Sequence, residues 1–360
     1  MTVSATAPGK LILLGEYAVL AGAPALVAAV DRRVRVEIRP NGRESTLTLA
    51  HADIDGIAID GCGGDLQLSK PPTDDPQIGS ILGILDFFCR TTGQDAEALA
   101  MELTVDAGAL FSGDGTKYGF GSSAALSVAL LAALHGHMGR KSLRAEDLLT
   151  NALQAHRSQQ GRLGSGIDVA ASVFGGLLEY SLKAGLENQI PQIRRVHPPP
   201  ELYMRAVWTG QSASTFQMLS GLERFRLQDP EAYRSAIGPL VEITRQGLAA
   251  FAENDHHGFI DTVNRFYRQL IAFADRSGLP IVTPYHECLA FIAGKLGGAY
   301  KPSGAGGGDV GLVFTDSEEK MARIVTAMQV AGFEILDLRW GDDGVELMKE
   351  GAEHETTAVC

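Results

Sequence analysis

Three glycine-rich stretches hold the residues of this 360-residue chain best suited to chemistry. The first runs Ala7-Pro8-Gly9-Lys10-Leu11 to Gly15-Glu16-Tyr17-Ala18-Val19-Leu20 and sets one lysine in an apolar, strand-like segment. An ammonium among Leu11, Ile12, Leu13 and Leu14 is costly to bury without a partner. Lys10 therefore either keeps its head in water at a strand edge or faces an anion. The second is Lys117-Tyr118-Gly119-Phe120-Gly121-Ser122-Ser123-Ala124-Ala125, leading into an apolar helix. Glycines let backbone approach a ligand closely. The first amides of a helix are unpaired, and its dipole favours an anion there. Ser122 or Ser123 either caps that helix or ligates a metal. An ordinary glycine turn with a serine cap fits the pattern as well as a phosphate loop does. The third, Lys301-Pro302-Ser303-Gly304-Ala305-Gly306-Gly307-Gly308-Asp309, precedes a buried strand, and its glycines can wrap a ligand with backbone N–H groups. Between the second and third lies Gly164-Ser165-Gly166-Ile167-Asp168-Val169-Ala170-Ala171-Ser172. There Asp168 either caps a helix starting at Val169 or supplies a carboxylate that orients a lysine or accepts a proton.

Composition narrows the chemistry. A hydrophobic fraction of 45% and a charged fraction of 21% are those of a globular protein long enough for two domains. The net charge of -12 disfavours nucleic-acid and anionic-membrane partners, so an anionic substrate needs local cations to overcome the overall field. Cys62, Cys89, Cys288 and Cys360 lie far apart without a CxxC pair. That spacing argues against a zinc site or disulfide framework and fits a reducing cytoplasm. The first residues lack the apolar core of a signal peptide, and the greasiest run, Ala124 to Leu134, is too short to span a bilayer. A Walker A loop is absent, because Leu11 stands where a Ser or Thr must follow Lys10. The second stretch mimics a dinucleotide fingerprint, but no clear strand leads into it.

The elements that position these residues read as α+β in both halves. Strands are expected at Val34 to Ile38, Leu47 to Leu49, Leu202 to Trp208, Val310 to Phe314 and near Glu334 to Leu338. Buried helices are expected at Ile81 to Phe88 and Ala124 to Leu134, and an amphipathic one at Glu146 to Gln160. Later helices are expected over Pro230 to Asn254, broken near Pro239, and at Phe259 to Ser277, Pro284 to Leu296 and Ser317 to Ala331. Leu186 to Pro200, polar and proline-bearing, reads as a crossing between domains or a surface loop.

In this order the segments resemble the three signature motifs of the GHMP kinases, over nearly the whole chain from Ala5 to the final strand. Five local features resemble the phosphomevalonate kinase branch more than its neighbours. They are the opening Ala5 to Arg32, Lys117 just before the glycine loop, and the stretch His156 to Ser172 with Gln160-Gly161. The others are Asp309 in place of a fourth consecutive glycine, and Trp208-Thr209-Gly210 with Ser212, Ser214 and Thr215. The resemblance implies a GHMP kinase fold, with an N-terminal domain over 1–195 like domain 2 of ribosomal protein S5 and a ferredoxin-like domain over 196–360. It implies ATP and Mg²⁺ as cofactors and 5-phosphomevalonate as the small-molecule partner.

The same resemblance implies roles for named residues. Lys10 would bridge donor and acceptor phosphates, with Asp168 orienting it. Lys117, Gly119, Gly121, Ser122, Ser123 and Ala124 would hold ATP, with Ser123 (or Ser122) on the metal. Ser165, Ser214, Thr215, Ser303, Gly308 and Asp309 would bind substrate. The metal-binding glutamate of mevalonate kinases has no evident counterpart; Gln154, Gln159 and Gln160 lie in its region. The rival readings are a mevalonate kinase, a decarboxylase of the superfamily, for which no second catalytic constellation is found, and a non-catalytic nucleotide-binding protein. Lys10 and Asp168 together argue against the last.

Overall fold

The computed structural model describes residues 1–42, 44–52, 54–60, 66–69, 76–94, 99–139, 143–159, 164–182, 191–349 and 357–358. Gln160, Gly161, Cys62 and Cys360 lie outside them, as do residues 186–190 of the expected crossing. The remainder of that crossing is not a loop throughout, because Gln192–Val196 forms a strand.

Strand β1 (Val3–Leu14) pairs antiparallel with the long β2 (Ala25–Pro40), Lys10 lying opposite Ala29. Along β2's other edge lie β6 (Met101–Asp106) and, further back, β7 (Leu177–Ser181), which itself pairs with β8 (Gln192–Val196). The outer ribbon β3 (Thr46–Leu49), β4 (Ile54–Asp60) and β5 (Gln67–Leu68) extends the sheet from β6. Helices α2 (Ser122–His137) and α4 (Ile167–Phe174) pack on β1 and β2. Outside α2 lie α1 (Pro76–Thr92) and α3 (Ala145–Gln159). Because β1 is covered by helices and flanked by β2 on one edge and by loops on the other, it reads as a near-continuous apolar run rather than an alternating one, burying Leu11, Ile12, Leu13 and Leu14 alike. The same reason makes α2 apolar all round: Ala124 through Gly136 are all buried.

The second sheet is antiparallel, ordered β10 (Ala299–Pro302), β11 (Val310–Thr315), β9 (Tyr203–Trp208) and β12 (Glu334–Leu336). The helices of this half are α5 (Thr215–Gln228), α6 (Pro230–Ala252), α7 (His256–Ser277), α8 (Pro284–Lys295) and α9 (Glu318–Val330); α7, α8 and α9 pack on the sheet, α6 on α7, and α5 on α6. The expected division at 195/196 falls inside β8, and β13 (Glu346–Lys349), joined by β14 (Thr357–Ala358), returns to pair with Val3 to Thr6 of β1. One core spans both halves: Leu14, Tyr17 and Val19 share a cluster with Phe266 and Phe273. The Tyr17 and Phe273 rings lie 5.4 Å apart. Among the described residues no helix is long and apolar enough to cross a membrane.

The expected break near Pro239 does not occur; α6 is continuous from Pro230 to Ala252. Asp229 caps it by accepting from the Ala232 amide at 2.9 Å, and Pro230 takes the first helical position, where no amide bond is lost. Pro239 sits on the exposed face beside buried Ile237 and Leu240, so water can serve the carbonyl it orphans while the apolar face holds the helix together. Pro239→Ala should therefore raise stability, by up to about 3 kcal/mol, the cost of an interior proline relative to alanine. Urea denaturation of both proteins followed by far-UV circular dichroism measures the difference.

Candidate active site

One cavity of about 450 Å³ gathers the three glycine stretches and the Asp168 segment. That size suits small molecules. Its wall holds Lys10, Lys117, Gly119, Gly121, Ser122, Ser123, Ser165, Asp168, Ser214, Thr215 and Asp309 of the expected site.

The arrangement follows from β1. Beyond Thr6 its outer edge has no strand partner among the described residues, and loops lie along it instead. The Lys10 amide donates to the Phe120 carbonyl at 2.8 Å, which docks the second glycine loop. The Ile12 amide donates to Ser303 Oγ at 2.9 Å, and that hydroxyl donates back to the Ile12 carbonyl at 3.1 Å, which docks the third loop. Lys10 is thus held in a strand between two glycine loops. Its side chain is only 8% exposed and forms no ion pair among the described residues. The strand-edge reading with the head in bulk water does not hold.

Helix α2 begins at Ser122, and its cap is Gly121, at a left-handed φ of 75° and without a side-chain cap bond. The Ala124 and Ala125 amides bond back to the Gly121 carbonyl, both at 3.1 Å. Ser122 and Ser123 are therefore not caps, and both residues line the cavity. Only glycine suits position 121: besides its φ, a Cβ there would meet Lys10 Cε at 3.1 Å and Asp168 Cβ at 3.6 Å. Lys10 and Asp168 thus flank one space above the helix start, without an ion pair between them among the described residues. Asp168 is not a cap either. That position belongs to Gly166, and Asp168 lies in the first turn of α4, its Oδ1 accepting from the Val169 amide at 3.0 Å. Ser172 Oγ donates to the Pro8 carbonyl at 2.8 Å and pins this short helix to β1.

Three expected contacts stand behind the wall rather than in it. Ser303 spends its hydroxyl on Ile12. The Gly308 carbonyl accepts from His286 Nε2 at 3.1 Å, and Ala124 is buried beneath the α2 turn. Ser214 faces the cavity and also caps α5, accepting from the Gln217 amide at 3.3 Å.

Several further residues support the cleft without a role evident from the sequence. Glu16 and Lys301, 2% and 0% exposed, form an ion pair across the cleft. Burial pushes the Glu16 carboxyl up and the Lys301 ammonium down, each partly restored by the other. Lys301 Nζ also donates to the Ile12 carbonyl at 3.2 Å, and the Gly304 amide to Glu16 at 3.4 Å. Tyr17 OH donates to the Ala305 carbonyl. His286 is buried, and burial pulls its pKa down to about 4. Neutral, it donates from Nε2 to Gly308 and accepts at Nδ1 from Tyr300 OH at 2.7 Å. The sequence signal for the pair was a lysine and a glutamate, each inside an apolar segment, which demand a partner when buried.

The donor set suits Mg²⁺. Two uncapped hydroxyls and the Asp168 carboxylate surround the helix start, and Mg²⁺ keeps most of its waters and takes few protein ligands. No cluster of three or more His, Cys, Asp or Glu side chains of metal-binding geometry occurs among the described residues.

The cleft, with a glycine loop feeding a buried helix, offers the open helix start and lysines that an anionic ligand needs. The family model of the GHMP kinase N-terminal domain matches residues 80–176 of the chain. The chain is 29% identical to a phosphomevalonate kinase of a Streptomyces species, the match covering 88% of this chain and 91% of that one. It is 28% identical to the mevalonate kinase of Thermococcus sibiricus, covering 92% and 94%. The structure of Streptococcus pneumoniae phosphomevalonate kinase in complex with phosphomevalonate and AMPPNP superposes with a TM-score of 0.76 at 20% identity, covering 94% and 99%. The fold is that of the GHMP kinases.

Breaking the buried pair is the strongest test of how this cleft is held. Lys301→Met leaves Glu16 buried without its cation and should cost about 3–5 kcal/mol. Glu16→Leu combined with Lys301→Met should cost clearly less than the sum of the single changes. Guanidinium denaturation of the four proteins gives the coupling directly.

Proposed function

We propose that this kinase transfers the γ-phosphoryl group of ATP to the phosphate of 5-phosphomevalonate, giving 5-diphosphomevalonate and ADP. The observation that carries the reading is a pair of lysines, Lys10 and Lys117, which line the same cavity as the open start of α2. Neither is ion-paired among the described residues; Lys117 instead rests 5.9 Å over the Phe111 ring. In a chain of net charge -12, unneutralised cations at one spot suit a meeting of two polyanions. The coverage and identity of the Streptomyces phosphomevalonate kinase support the same acceptor.

In the step itself, an oxygen of the acceptor phosphate bonds to the γ-phosphorus while the bond to the β–γ bridging oxygen breaks and ADP departs. The acceptor has a second pKa of about 6, so at neutral pH it needs little help from a base. The residues therefore position and neutralise. Lys10, between the glycine loops, reaches both phosphates. Lys117 serves the ATP phosphates, together with the first amides of α2. Asp168 orients Lys10 and the acceptor across the space above Gly121. Ser165, Ser214 and Thr215 offer hydrogen bonds to the acceptor. Magnesium, held by Ser123 or Ser122, would neutralise charge on the β- and γ-phosphates. The apolar wall made by Val19, Leu20, Phe216 and Leu219 suits the carbon skeleton of the acceptor.

Mevalonate is the competing acceptor, because a mevalonate kinase matches the chain at almost the same identity. Purified protein with ATP, magnesium and either acceptor, coupled to ADP detection, separates the two. Phosphomevalonate should be turned over with a far higher kcat/KM, and a preference for mevalonate would overturn the assignment.

The two charged residues separate by role. Lys10→Met should lower kcat by about 10³–10⁵, the range of a cation acting in a phosphoryl-transfer transition state. Asp168→Asn should leave more residual rate, and the wild-type pH–rate profile should lack an acidic limb assignable to Asp168. An acidic limb abolished by Asp168→Asn would make Asp168 a general base and return the case to an alcohol acceptor.

A further inference from the structure

Asp309 is the only acidic residue of the third glycine loop, and the fold goes to some length to place it. Its φ is 57°, a left-handed conformation that costs a residue with a Cβ roughly 1–2 kcal/mol. Backbone bonds hold it there. Its amide donates to the Gln211 carbonyl at 2.7 Å. Its carbonyl accepts from the Thr209 amide at 3.0 Å and from Thr209 Oγ1 at 2.9 Å. On the side chain, Oδ1 accepts from the Ala213 amide at 2.9 Å. The other oxygen lies over the phosphate loop: a Cβ at Gly119 would come within 2.5 Å of Oδ2. The carboxyl thus spans from the segment that leads to Ser214 and Thr215 to the loop that feeds α2, and it faces the cavity.

Its charged surroundings are few. Lys10 from β1 and Lys117 from the phosphate loop face it, and both favour its ionised form. The 211–213 segment presents a backbone amide, and Gly119 presents no side chain. Neither lysine comes within the 4.0 Å of an ion pair. Burial outweighs the Ala213 bond and both lysines and pushes the Asp309 carboxyl up to about 6. A fixed anion at this spot conflicts with the function of the site. When phosphates occupy the space beside Lys10 and Lys117, the ammonium groups neutralise them instead, and a carboxylate beside them is a further negative charge in a dehydrated cleft.

We propose that Asp309 binds phosphate as a neutral acid: Oδ1 stays on the Ala213 amide, while Oδ2 takes up one proton from solvent as the phosphates arrive and donates it in a hydrogen bond to a phosphate oxygen. The inference rests on the kinase reading, phosphates beside Lys10 and Lys117, and not on which acceptor is used. A carboxylic acid kept neutral in an enclosed site is a strong and directional donor. Asparagine can offer the same pair of groups, a carbonyl for Ala213 and an N–H for the phosphate, without a proton to exchange.

Magnesium-AMPPNP is the probe, which keeps this test independent of the acceptor. Its affinity for wild type and D309N is measured by calorimetry from pH 6.5 to 8.5. The ratio between the proteins cancels the titration of the nucleotide itself. Because wild type gains a proton on binding and D309N does not, wild type should weaken relative to D309N by up to tenfold per pH unit. Infrared difference spectra of wild type should show a protonated-carboxyl band appearing on binding, absent in D309N. D309A, lacking the donor, should bind at least tenfold more weakly than D309N at pH 7. A pH-independent ratio, with D309N as weak as D309A and no new carboxyl band in wild type, would show that Asp309 acts as an anion and would overturn the proposal. If D309N does not fold, the wild-type infrared spectrum decides alone: without the band the proposal fails. Should phosphomevalonate prove not to be the acceptor while these results hold, the proposal stands and only the acceptor assignment falls.

Discussion

The edge of β1 beyond Thr6 is the constraint from which the site follows. A strand edge presents amides and carbonyls that must be satisfied when buried. Here β13 covers only Val3 to Thr6, and the remainder is completed by Phe120 and Ser303. The hydrogen bonds that finish a sheet are therefore the ones that bring two glycine loops, remote in sequence, to either side of Lys10. Glycine is required where the loops close on that lysine, since a side chain at Gly121 would fill the space that Lys10 and Asp168 share.

Charge is the second constraint. The cleft buries Glu16 and Lys301 and pairs them through Glu16 Oε1, with the Ile12 carbonyl and the Gly304 amide as further partners, while Glu16 Oε2 has no hydrogen bond among the described residues. Such a pair contributes little net stability compared with apolar packing, but it punishes any arrangement that separates its members. Its use here is geometric: it keeps the third loop on the end of β1. His286 supports the same loop from behind through Gly308, and its burial requires it to be neutral. Lys10 and Lys117, which form no ion pair among the described residues, both line the cavity.

The cleft is one body with the core. Tyr17 reaches the Ala305 carbonyl while its ring packs on Phe273, so the loop that closes the cavity is tied to the helices of the second half. Helix α6 approaches the end of β1 closely enough that a Cβ at Gly247 would meet Leu14 at 2.4 Å. The loops are thus held by a rigid frame, as a site that works by positioning demands.

Much was legible in the residues alone. The glycine stretches, the lone Lys10 and Asp168, and the apolar helix after Ser123 are local patterns, and local patterns carry the physics of turns, caps and buried helices. The motif resemblance added the fold and the shared cavity. Tertiary structure decided what local patterns leave open. Whether Ser122, Ser123 and Asp168 cap helices turned on which residue adopts the left-handed position, and glycines took it. Ser303 and Gly308 became struts because their partners, Ile12 and His286, come from other strands and helices. Pro239 stayed inside a helix because its exposed face could tolerate the missing bond while the opposite face was buried. The partnership of Glu16 with Lys301 joins residues 285 positions apart, and spacing along a chain does not encode which buried charges will meet.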